Sequence, residues 1–138
     1  MKAIIKRVGE PAVEFDGDLT YDFMNSTVGG YIQMVPIGPN GIEVVCNEEG
    51  MFCGPDGGPL AQNAAGFLGN VLIVAVDGGS CRDMTEEELR KGFRYLEVFA
   101  NVKHPGEGLE AQAILVGDEA EKFMEQKTRS TLDTWASL

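Results

Sequence analysis

The stretch VGGYIQMVPIGPNGIEVVCNEEG, residues Val28 to Gly50, decides the fold. Two apolar runs, YIQMVPI and IEVVCN, flank GPNG, and that arrangement predicts a β-hairpin. Asn40-Gly41 alone would favour a type I′ turn, but proline cannot take a positive φ at a central turn position. The expectation is therefore a type I turn with Pro39 at its second position and Gly41 left-handed in a bulge. Pro36 removes a ladder donor, so its strand is an edge or ends early. Gly29 and Gly30 follow the helical pattern of DGDLTYDFMNSTV and are read as a helix C-cap and chain reversal. NEEG closes the hairpin as a turn.

Working outward, MKAIIKRV opens the chain as a strand with Ala3 and Ile5 on one face and Ile4 and Lys6 on the other. Asp18 is the expected N-cap of the first helix. MFC reads as a short return strand, GPDGGP as a loop and LAQNAAGFLGN as a helical turn or two. VLIVAV, apolar throughout, is a buried strand, and DGGSCRD then leaves the sheet. MTEEELRKG is the clearest helix start, with Thr85 and Glu88 forming a capping box. Leu89, Phe93, Leu96 and Ala100 carry that helix past Gly92 at helical spacing, although FRYLEVF also has strand character. LEAQAILVG is the expected last strand. Asp118 and Glu121 open a closing helix with a stripe of Ala120, Phe123, Lys127, Thr131 and Trp135. These elements predict one α+β domain spanning residues 1–138, a mainly antiparallel sheet covered on one face by two or three helices.

The chain has 138 residues, enough to bury a core without disulfide or metal. Acidic residues number 22 against 11 basic, a net charge of -11. A mean hydropathy of -0.09 is ordinary for a globular protein. So acidic a chain lacks the footprint for direct nucleic-acid binding and is repelled by anionic membranes. High charge serves solubility; carboxylates standing in for phosphates, as a nucleic-acid mimic, are the sharper alternative. Three cysteines, Cys46, Cys53 and Cys81, do not form a disulfide framework, and no stretch matches a signal peptide or a membrane span. A cytoplasmic protein is expected.

No catalytic constellation stands out, so the chain reads as a non-enzyme. The single histidine, His104, precedes Pro105 in a loop and has no legible nucleophile beside it. The cysteines lack zinc spacing. Glu48 and Glu49, with Asp56, are a carboxylate grouping without the alternation of a calcium loop. GPDGGP is not a phosphate loop, and VGGY is not a dinucleotide fingerprint. No metal and no cofactor is expected. Backbone laid bare at Gly29 and Gly30, with Tyr31 to stack on a flat ligand, makes Gly29, Gly30, Tyr31, Asn47, Glu48, Glu49 and Asn63 the candidate ligand-binding residues, nucleotides included.

VGGYI followed by a hairpin and NEEG resembles the family catalogued as domain of unknown function 3846. QNAA (Asn63, Ala64, Ala65), GNVLIVAV and MTEEEL fit the same pattern in the same order, over roughly residues 1–92. Asn70 stands where the family tends to have Asp, CGPDGGP resembles an insertion, and residues 93–138 read as an extension with a strand and a C-terminal helix. The resemblance carries no catalytic residue. It implies a bacterial, phage or mobile-element setting. Small size, acidic charge, a single histidine and the lack of a catalytic constellation point to an accessory or binding protein that works through a protein partner or as a homo-oligomer.

Overall fold

The computed structural model describes residues 1–102 and 132–138. They form a single α+β domain with a six-stranded antiparallel sheet. In chain order the elements are β1 (Lys2–Lys6), β2 (Val13–Asp16), α1 (Tyr21–Val28), β3 (Ile32–Gly38), β4 (Ile42–Asn47), a 3-10 turn (Ala64–Gly66), β5 (Val71–Asp77), β6 (Ser80–Arg82) and α2 (Glu86–Val98). Residues 132–136 are helical. The sheet runs β2-β1-β5-β4-β3, with β6 also paired to β5. No helix among the described residues is long and apolar enough to cross a membrane.

Helices pack on both faces of the sheet, not on one. The alternation of β1 shows it: Ala3 and Ile5 join Leu19, Met24 and Val28 under α1, while Ile4 joins Leu89, Leu96 and Trp135 under α2 and the C-terminal helical residues. β5 takes part in both layers. Leu72 and Val74 point to α1, Val71, Ile73 and Ala75 to α2, and all five are fully buried. An unbroken apolar strand is what two covered faces require. Each of the four larger side chains contributes about 1.5–3 kcal/mol of burial, and Ala75 less.

Several local readings are corrected by the same packing. Thr20, not Asp18, caps α1, its Oγ1 accepting from the Phe23 N–H at 3.1 Å. The start is shifted because Leu19 is buried against the sheet together with Met24, a hydrophobic staple across the cap. Residues 13–16 form β2, which sequence reading left out. This edge strand is mostly exposed, but Phe15 stacks on Phe23 with ring centroids 4.7 Å apart. DGGSCRD does not leave the sheet: Gly78 and Gly79 take φ 58° and 85° and turn the chain back as β6. MFC is part of a turn rather than a strand.

The predicted hairpin is β3–β4, and β3 with Pro36 is an edge strand. Its turn differs from expectation. Asn40 and Gly41 are both left-handed, at φ 59° and 79°, the sign pattern of a type I′ pair. Pro39 stands before that pair, where its fixed negative φ does no harm. The bulge lies in β3, between Pro36 and Gly38.

The Thr85–Glu88 capping box is present in both directions, and α2 runs unbroken through Gly92. A Cβ there would come within 2.6 Å of Ile4 Cδ1. Glycine thus lets α2 lie close on β1, which offsets its low helix propensity. At the other end of the sheet, Arg82 grips Glu88 with both guanidinium nitrogens (2.8 and 2.9 Å) and donates to the Asn40 carbonyl. That clamp joins the hairpin turn to the start of α2. His104, the expected LEAQAILVG strand and the Asp118–Glu121 helix start lie outside the described residues.

Candidate functional site

The residues singled out in the opening stretch converge where α1 ends and the hairpin closes. Gly29 is left-handed (φ 81°), and its N–H and that of Gly30 both donate to the Asn25 carbonyl. The chain then reverses into β3. Asn47, the last residue of β4 and opposite Ile32, is only 7% exposed. Its Nδ2 donates to the Val28 carbonyl at 3.1 Å, and its Oδ1 accepts from the Glu49 N–H at 2.8 Å. One side chain therefore satisfies an orphan carbonyl of the helix end and pins the turn that follows. A Cβ on Gly30 would lie 2.9 Å from Asn47 Nδ2, so the carboxamide fills the space that the missing side chain leaves.

Around this lock the backbone is cross-tied. Glu48 N–H donates to the Tyr31 carbonyl at 2.8 Å, and the N–H groups of Phe52 and Cys53 donate to the Glu49 carbonyl. The side chains on it are open: Tyr31 is 66% exposed, Phe52 74%, and Glu48 and Glu49 are exposed as well. Phe52 was not among the candidates read from sequence; its neighbours MFC pointed to a strand, where a phenylalanine packs inward.

Asn63, the seventh candidate, lies apart, across β5. Its Nδ2 donates to the carbonyls of Lys6 (2.8 Å) and Gly69 (2.9 Å), and its Oδ1 accepts from the Ala64 N–H. It forms part of the wall of a cleft of about 340 Å³, with Lys6, Gly9, Gln62, Ala64, Ala100, Asn101 and Val102. Both of its N–H donors are spent on the fold. Asn47 and Asn63 are the two buried polar residues among those described, and each fastens one part of the long β4–β5 connection.

The arrangement is built for holding shape. Among the described residues no buried polar side-chain atom lacks a partner, and no group of three or more His, Cys, Asp or Glu could hold a metal ion. The cysteines are free; burial pushes the Cys46 thiol up to about 11, whereas Cys53 is exposed. Arg82 holds Glu88 at the other end of the sheet from Gly30, and Arg94 is paired with Glu97 on α2.

A family model described as Domain of unknown function (DUF3846) matches residues 1–100. The match continues beyond Gly92 to include the whole of α2. No curated protein and no solved structure matches the chain.

Proposed function

We propose that this chain, which belongs to the family described as Domain of unknown function (DUF3846), is a non-enzymatic binding protein that docks a protein partner through the tip formed by Tyr31, Glu48, Glu49 and Phe52. The observation that carries the reading is the exposure of Tyr31 and Phe52 on a backbone fixed by hydrogen bonds and by the buried Asn47. Aromatic side chains bring large contact area at small entropic cost, and a rigid base lowers the ordering penalty of association. The candidate residues around VGGY thus act as the frame of a docking surface, with Tyr31 and the two glutamates as its contacts.

The test is a photo-crosslinking amino acid at position 31, with the same group at Val13 on β2 as control. The expected result is a discrete adduct from position 31 alone, whose identified protein binds the purified wild-type chain and loses affinity for Tyr31→Ala/Phe52→Ala. Equal adducts from both positions, or undiminished binding by the double variant, would overturn the proposal.

A nucleic-acid mimic is the second reading, favoured because the sequence from Val8 to Cys81 carries carboxylates and no Lys, Arg or His. It requires contacts along the acidic β2 and α1 surface (Glu14, Asp16, Asp22) rather than at the tip. Partner binding that competes with DNA and survives Tyr31→Ala/Phe52→Ala would favour it.

A further inference from the structure

The two carboxylates of the tip differ from three of the four on α2. Glu87, Glu88 and Glu97 are each neutralised by an arginine within 3.5 Å. Glu48 and Glu49 have no ion pair among the described residues, and their own stretch of chain, Val8 to Cys81, contains no cation that could supply one. Their backbone is bonded to that of two exposed aromatic residues: Glu48 N–H donates to the Tyr31 carbonyl, and Phe52 N–H to that of Glu49. Exposed aromatic rings and unpaired carboxylates carried on one cross-tied stretch of backbone suit one chemical class. A lysine or arginine can lay its aliphatic stem and charge over the ring and turn its N–H groups to the acid.

We infer that the tip recognises a cationic segment of its protein partner, with Lys or Arg side chains over Tyr31 and Phe52 and paired to Glu48 and Glu49. This deepens the docking role proposed above and rests on it. Charge decides among occupants. A net charge of -11 attracts a basic segment and speeds its encounter. The same charge repels nucleic acid, anionic lipid and a second copy of this chain.

The probe is a ten-residue peptide of alternating Arg and Ser, with a control in which Gln replaces every Arg. Each is titrated into the 15N-labelled chain of 138 residues and followed by amide chemical shifts, at low salt and at about 0.5 M salt. The expected result is a saturable shift of the amides of Tyr31, Glu48, Glu49 and Phe52 by the Arg peptide alone, weakened by salt. Tyr31→Ala/Phe52→Ala weakens binding about tenfold, and Glu48→Gln/Glu49→Gln about fivefold with a flatter salt dependence. All four residues' side chains are exposed or rim the surface, and an unchanged far-UV spectrum confirms that the variants fold. Equal shifts by the Gln peptide would overturn the cationic assignment while leaving the tip as the docking surface. Shifts at Glu14, Asp16 and Asp22 that neither double variant alters would overturn it in favour of a diffuse acidic surface. Absence of any shift at the tip overturns it too; whether docking at the tip survives is then read from the crosslink at position 31, which does not depend on the partner's charge.

Discussion

Removing the Asn47 carboxamide should expose how far the opening stretch is a single mechanical unit. Asn47→Ala deletes two hydrogen bonds, one to the buried Val28 carbonyl and one from the Glu49 N–H. The carbonyl is left without its donor at a helix end that the sheet covers, which costs about 1–2 kcal/mol; the Glu49 N–H can turn to water and costs about 0.5–1 kcal/mol. Together these come to about 1.5–3 kcal/mol. Gly30→Ala acts from the other side of the same contact. Its φ is not in the left-handed range, so backbone strain is absent, but the new methyl meets Asn47 Nδ2 at 2.9 Å. Displacing the carboxamide costs about 1 kcal/mol, close to one hydrogen bond. In the double variant the methyl enters space the carboxamide has left. The two losses therefore should not add: about 2.5–4 kcal/mol if independent, about 1.5–3 kcal/mol if they share one site. The assay is urea unfolding followed by the fluorescence of Trp135, the chain's single tryptophan and buried at the base of α2, with equal m-values required of all four proteins. Additivity within about 0.5 kcal/mol would refute the reasoning, as would a stabilising Gly30→Ala.

Three further outcomes are expected. Gly41→Ala should cost more than about 2 kcal/mol in the same unfolding assay, because its Cβ would collide with the Val76 carbonyl at a left-handed φ of 79°; a loss below about 1 kcal/mol would count against the turn as described. The Arg82 guanidinium holds the Glu88 carboxyl below its ordinary pKa, so its stabilisation is complete above the ordinary glutamate range and is lost as pH falls through the lowered folded value. Glu88→Gln keeps the capping box and removes the charge; its stability should fall less than that of wild type between pH 5 and 3 (about two pH units, spanning the glutamate range), and parallel curves would refute the linkage. Among the thiols, Cys53 should react first with a disulfide reagent in the folded protein and Cys46 only on unfolding, since burial both covers the latter and raises its pKa to about 11; native-state labelling of Cys46 as fast as of Cys53 would contradict its placement.

Local signals in the sequence were reliable where one residue type admits one use. Thr85 and Glu88 can cap a helix without help from the rest of the fold, and they do. The unbroken VLIVAV could only be interior. Its full meaning was also present, because a strand apolar on both faces in an antiparallel sheet needs a layer on each side. β2 was not legible: VEFD is exposed at three of its four positions, and it is a strand because β1 offers an edge, not because of its own pattern. Asp18 and Thr20 compete as caps on equal local terms, and the burial of Leu19 between them settles the choice. At the site, Gly29, Gly30, Tyr31, Asn47, Glu48 and Glu49 come together as their place in one hairpin implies. Asn63 does not join them, since nothing in its own neighbourhood encodes the crossing to Lys6 and Gly69. Nor could its sequence show that Phe52 faces water.

The two buried asparagines give the β4–β5 connection an unusual engineering property. Asn47 ties down its beginning and Asn63 its return to β1 and β5, while Gly54 is held against the Pro59 backbone. Gly57 and Gly58, bonded to Gly54 through the backbone, close that neck, and a side chain added at either would meet open space. Chain inserted between them would grow outward from an anchored stem. Doubling the length of such a loop adds only about 0.6 kcal/mol of closure entropy, and the Asn47 and Asn63 anchors stand between the insert and the strands. The same two side chains that keep the fold closed thus make this domain a frame on which foreign peptides can be displayed.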